Sequence, residues 1–162
     1  MNPLNILFRF LALGVGFLLL VGALAMEVGF GGLPFYFQLP AAVITIGATL
    51  AFTAFAHSPM GLLRAILDVP GTIPRTPEEL ERSARVFRTL SRLSPICGWL
   101  GALMGIISML QNLSDPKRLG GGLSVSMVSA LYGYLLFAAF FLPCREMLLE
   151  RAAGLRETPP PA

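Results

Sequence analysis

Charge is scarce in this chain. Only 13% of its 162 residues are Asp, Glu, Lys or Arg, about half the share of an ordinary soluble domain. With 55% hydrophobic residues and a mean hydropathy of +0.73, the composition excludes an ordinary soluble enzyme. Cysteine is nearly absent too. Cys97 and Cys144 stand alone, with no C-x-x-C and no Cys/His spacing. Neither a metal site nor a disulfide framework is expected, and both read as small buried thiols. There is no phosphate loop, because Gly120-Gly121-Gly122 lacks a following Lys-Ser/Thr and a preceding strand. The net charge of +3 and pI near 9.3 do not indicate nucleic acid. The basic residues flank apolar segments and form no stripe interleaved with aromatics. No cofactor is expected.

What the chain does have is apolar segments. A hydrocarbon core about 30 Å thick needs roughly 20 mostly apolar helical residues. Four stretches approach that length, at about 10–25, 39–56, 96–110 and 123–142. The expected fold class is therefore all-α, an integral membrane domain over 1–154 with four transmembrane helices. Residues 155–162, ending in Thr-Pro-Pro-Pro-Ala, are expected to be a disordered tail. The first stretch has a rival reading as a signal peptide, since Ala23-Leu24-Ala25 resembles a cleavage site. Three more spans follow it, and it is expected to remain as an anchor. Arg9, the six arginines between spans two and three (Arg64, Arg75, Arg82, Arg85, Arg88, Arg92), and Arg145, Arg151 and Arg156 lie on one side. Lys117 and Arg118 lie on the other. The positive-inside rule then puts both termini in the cytoplasm.

The segment 57–94 is the only sizeable part outside the spans. Asp68-Val-Pro-Gly-Thr-Ile-Pro reads as a turn-rich connector. Thr76 with Glu79 forms a capping box, and Pro77 suits the first helical position. Leu80, Ala84, Phe87 and Leu90 then give one apolar face, so a short cytoplasmic amphipathic helix is expected to run on into span three. Glu78 with Arg82, and Glu81 with Arg85, have the i,i+4 spacing of ion pairs on its wet face. Pro95 and Pro143 are expected at helix boundaries.

None of the four spans contains Asp, Glu, Lys, Arg or His. Intramembrane charge is costly and commonly marks an ion path. If this protein helps ions across, the titrating acid must belong to another chain. No nucleophile and base are paired in the spans either, so an intramembrane enzyme is not expected. The spans are instead rich in small and hydroxyl residues. Gly98, Gly101, Ala102 and Gly105 recur along span three, with Ser108 beyond them. Ser126, Ser129, Ala130 and Gly133 recur along span four. Such spacing lets helix backbones approach closely and lets Ser bond across an interface. Two readings stay open: these faces pack the helices of one chain together, or they line a pore or a groove for a foreign helix.

Two blocks carry a resemblance. Residues 93–149 read LSPICGWLGALMGIISMLQNLSDPKRLGGGLSVSMVSALYGYLLFAAFFLPCREMLL. This run resembles the MotA/TolQ/ExbB family, and within it the MotA/PomA branch. The matching features are Pro95, Gly98, Gly101, Gly105, Asn112 to Pro116, Gly120, Tyr132-Gly133 and Leu142-Pro143. Residues 31–67 resemble the same branch more weakly. The resemblance implies a homopentamer, embedded in lipid of the bacterial inner membrane, around helices of a MotB/ExbD/TolR-like single-span partner. The partner's aspartate would carry the ion, most simply a proton, and its flow would drive a motor or energiser complex. Gly98, Gly101, Ala102, Gly105, Ser108, Ser126, Ser129, Ala130 and Gly133 would then line the path and hold the partner helix.

There are two departures from the family pattern. Ala102 and Ala130 stand where the family often has threonine, and alanine cannot replace an ion's hydration shell. The cytoplasmic insert is also much shorter than in flagellar stators. The alternative is a non-conducting structural scaffold oligomer of the same descent. Among single residues, His57 reads as interfacial, Tyr132 as packing beside Gly133, and Glu27 as a solvated loop carboxylate. Trp99 and Tyr134 could anchor at an interface or pack.

Overall fold

A computed structural model describes residues 37–71 and 75–157, together with 14–16, 18, 19, 22 and 26. The chain divides into two units, 1–38 and 39–162. In the first unit the described residues between 14 and 26 are helical. The expected span at 10–25 and the tail at 158–162 otherwise fall outside the described residues.

The second unit is helical throughout its regular structure. Helix α1 (Leu39–His57) is 19 residues long and apolar enough to cross a membrane. Its turn Val43–Gly47 is wound as a π-helix. Ser58, at φ 67°, breaks the chain sharply and caps α2 (Pro59–Asp68), its Oγ accepting from the Gly61 amide at 3.3 Å. This ten-residue helix lies before the turn-rich connector that begins at Asp68. Gly71, at φ +70°, closes the turn after α2, a conformation that favours glycine.

Helix α3 (Pro77–Leu110) is 34 residues long, or about 51 Å at the standard rise. Its start follows the capping expectation: the Glu79 amide donates to Thr76 Oγ1 at 3.4 Å, and the Thr76 amide donates to Glu79 Oε2 at 3.0 Å. The amphipathic helix and span three are one rod. Pro95 lies inside it and is no helix boundary. Proline removes one amide donor and crowds the carbonyl four residues back; the rod absorbs that loss and continues. A tight turn at Gln111–Asp115 leads to α4 (Pro116–Leu135). There the Asn112 side chain donates to Ser108 O at 2.8 Å and accepts from Arg118 at 3.1 Å.

A π-helical segment, Leu136–Phe141, joins α4 to α5 (Leu142–Glu157). Pro143 is thus the second residue of a continuing helix rather than an end. The wider π turn just before it relaxes the i−4 pairing that proline cannot make. Helix continues to Glu157, through the first three residues of the stretch expected to be disordered.

Among the described residues, three helices are long and apolar enough to cross a membrane: Leu39–His57, Pro77–Leu110 and the rod Arg118–Arg156. They correspond to expected spans two, three and four. The buried apolar cluster lies to one end of the rods. Ala65 of α2, Leu80, Ala84, Val86, Phe87 and Leu90 of α3, and Leu148 and Ala152 of α5 form it. The Phe87 and Phe141 rings meet with centroids 6.4 Å apart. By contrast, the apolar rods expose many large side chains, including Phe55, Leu103, Ile107 and Met127. Lipid or neighbouring helices must cover such a surface.

Candidate functional site: a small-residue seam and a charged knot

Helices α3 and α4 touch backbone to backbone along a seam of small residues. A Cβ placed on Gly98 would stand 2.9 Å from Gly133 Cα, and one on Gly105 would stand 2.7 Å from Gly122 O and from Ser126 N. On Gly101 it would meet Ser129 Cβ at 2.7 Å and Ile44 of α1 at 3.1 Å. Any larger residue would drive the rods apart. Ser94 Oγ ties the seam by donating to Gly133 O at 2.8 Å. The close fit exists because three glycines recur at helical spacing on α3 and face Gly122, Ser126, Ser129 and Gly133 on α4.

Most of the expected lining residues fall in or beside this seam. Gly98, Gly101, Ala102, Gly105, Ser126, Ser129 and Gly133 are buried. Ala130 is half-buried and Ser108 is exposed. The glycines and serines of the seam thus pack helices of one chain. Beside the seam, α3 exposes Leu100, Leu103, Met104 and Ile107, and α4 exposes Leu123, Met127 and Leu131. Trp99 Nε1 donates to Tyr134 Oη at 3.2 Å across the same two helices, both rings half exposed.

A row of hydroxyls backs the seam. Thr45, Thr49 and Thr53 on α1 are fully buried. Thr45 Oγ1 donates to Ser129 O at 3.3 Å, Thr49 Oγ1 to Thr45 O at 2.6 Å, and Thr53 Oγ1 to Thr49 O at 2.7 Å. The T-x-x-x-T-x-x-x-T spacing was visible in the sequence. It passes as ordinary apolar span because a threonine can satisfy its hydroxyl on its own helix.

A knot of charge gathers where α2, α3 and α5 meet. Asp68, at the end of α2, is buried; its carboxylate accepts from Arg75 Nε at 2.8 Å and from Ser83 Oγ at 2.6 Å. Arg151, reaching in from α5, donates to Val69 O at 2.9 Å. It thereby neutralises carbonyls at the C-terminal end of α2. Glu81 pairs with Arg156 at 2.8 Å, instead of the Arg85 partner expected from spacing. The Thr76 amide holds the Glu79 carboxyl below its ordinary value, with Arg75 adding to the effect. His57, the last residue of α1, has its Nε2 2.7 Å from Thr89 Oγ1 on α3. Among the described residues no His, Cys, Asp and Glu gather as a metal site.

The sequence profile of the MotA/TolQ/ExbB proton channel family matches residues 56–158, which include the seam and the knot. The chain belongs to that family. A 71-residue stretch is 39% identical to Motility protein A of Aquifex aeolicus, covering 44% of this chain and 28% of that one. Another, of 79 residues, is 34% identical to Chemotaxis protein PomA of Vibrio alginolyticus and covers 49% and 31%. An 89-residue stretch is 33% identical to Uncharacterized protein YtxD of Bacillus subtilis, covering 55% and 32%. Within the MotA/TolQ/ExbB family the chain therefore belongs with the MotA/PomA-like branch, as a multi-pass membrane protein. The matched stretches cover less than a third of each of these relatives.

Proposed function

We propose that this chain is a ring-forming subunit of an ion-driven, most simply proton-driven, motor or energiser complex in the bacterial inner membrane. It is not an enzyme in this reading. Five copies would surround the membrane helices of a MotB/ExbD/TolR-like partner, with both termini in the cytoplasm and lipid around the ring. The observation that carries the reading is the pair of apolar faces beside the α3/α4 seam. They expose large side chains, yet the apolar stretches 39–56, 96–110 and 123–142 hold no Asp, Glu, Lys, Arg or His. A wall of this kind suits a path whose proton is carried by an aspartate of another chain. Ala130, half-buried on α4, and Ser108, exposed on α3, are the small and hydroxyl residues nearest to such a path. The buried glycines and serines hold the wall in shape.

The test is proton uptake by vesicles containing this chain together with a single-span partner bearing a central aspartate. Uptake should require both proteins and should vanish when that aspartate is changed to Asn. Uptake by this chain alone at the same rate would sink the proposal. Ala102 and Ala130, standing where the family often carries threonine, favour a second reading: a non-conducting scaffold oligomer. Under the motor reading, Ala130→Thr changes ion preference with little effect on oligomer mass. Under the scaffold reading no variant yields flux.

A further inference from the structure

Between α2 and the first turns of α3 lies a cleft of about 380 Å³. Four arginines line it, Arg64 from α2, Arg75 from the connector, and Arg82 and Arg85 from α3, against two carboxylates, Asp68 and Glu79. The carboxylates are already committed. Asp68 is held by Arg75 and Ser83, and Glu79 by the amide of Thr76, with Arg75 3.7 Å away. Among the described residues Arg64, Arg82 and Arg85 have no acidic partner, and all three are exposed. Three guanidinium groups without an ion-pair partner line one concavity whose charged side chains sum to about +2, and they focus a positive potential there. The N-terminal turn of α2 forms another part of the wall, through Ser58, Met60 and Gly61. His57, the last residue of apolar helix α1, also lines the cleft. The cleft therefore sits where a membrane span ends.

We propose that this cleft binds a phosphate-bearing anion, with Arg64, Arg82 and Arg85 as its ligands. Guanidinium groups match phosphate oxygens in paired, charge-assisted hydrogen bonds. Either an anionic phospholipid headgroup of the adjoining leaflet or a free phosphate carries that chemistry. Occupancy would clamp α2 to α3, and the site does not depend on whether the chain conducts ions.

The test uses the full chain purified in an uncharged maltoside detergent. A short-chain fluorescent phosphatidylglycerol is titrated in and followed by anisotropy, with the matching phosphatidylcholine as the zwitterionic comparison. Phosphatidylglycerol should saturate at one molecule per chain. Arg64→Gln, Arg82→Gln and Arg85→Gln should each weaken it about tenfold, the scale of one charged hydrogen bond. Arg92→Gln, farther along α3 and outside the cleft, should change it by no more than about twofold. Circular dichroism checks that each variant keeps its helices. Displacement by inorganic phosphate at constant ionic strength assigns the site to the free anion as well, and failure to displace assigns it to lipid. The proposal is overturned if neither probe saturates, or if Arg92→Gln weakens binding as much as Arg82→Gln, which is the behaviour of a diffuse surface charge.

Discussion

At the scale of single residues, the seam glycines separate from the others by what a methyl group would meet. Gly105→Ala and Gly98→Ala each push a Cβ into backbone atoms of α4 less than 3.0 Å away. Each should cost about 1–3 kcal/mol, the scale of an overpacked core, as measured by unfolding in mixed detergent. Gly120→Ala, with nothing within 4 Å, should be neutral or stabilise helix α4 by about 0.5–1 kcal/mol. Asp68→Asn should cost about 1–3 kcal/mol by removing the buried charge that accepts from both Arg75 and Ser83. The small residues of the seam were legible in the sequence because their spacing is periodic. Their role was not, since the same spacing serves packing within a chain or a wall facing another. Asp68 was read as part of a turn. Its partners Ser83 and Arg151 lie far along the chain, and nothing local signals that it is buried.

At the scale of elements, the start of α3 shows how far local chemistry reaches. Thr76, Pro77 and Glu79 fixed its first turn in advance because capping involves only neighbours. Thr76→Ala should cost about 1 kcal/mol. The Glu79 carboxyl is held below its ordinary value by the Thr76 amide and Arg75. Its charge therefore contributes fully above the ordinary carboxylate value, and the contribution is lost as pH falls through the folded-state value. The melting-temperature difference between the parent chain and Glu79→Gln should accordingly be present at neutral pH and shrink to nothing in acid. Two elements escaped a reading of sequence. Helix α2 begins with Pro59 and Gly61 after a serine at positive φ, and that bend leaves no periodic trace. The helices containing Pro95 and Pro143 both continue through their prolines, the second next to a π turn, and no local pattern in the sequence announces that. The partner choice of Glu81 is likewise not local: Arg156 arrives from α5, not from the next turn.

At the scale of the molecule, the described residues divide their labour. The apolar rods expose large side chains, and the compact core gathers where α2, α3 and α5 meet. Phe87→Ala should cost about 3–5 kcal/mol by emptying that core. Hydrogen exchange should then rise first in α2 and the start of α3, with the α3/α4 seam still protected. The family, the helical class and three of the expected spans could be read from sequence because hydropathy and the 93–149 pattern are strong. The first, at 10–25, falls largely outside the described residues. Helix α3 runs unbroken from the capped turn at Thr76 to Leu110, with the guanidinium-lined cleft at one end and the glycine contact at the other. A tug or twist delivered at the capped end is therefore carried along one continuous helix, past Pro95, to the glycine contact. In mechanical terms α3 is a single strut, and a displacement of its capped end bears directly on its buried one.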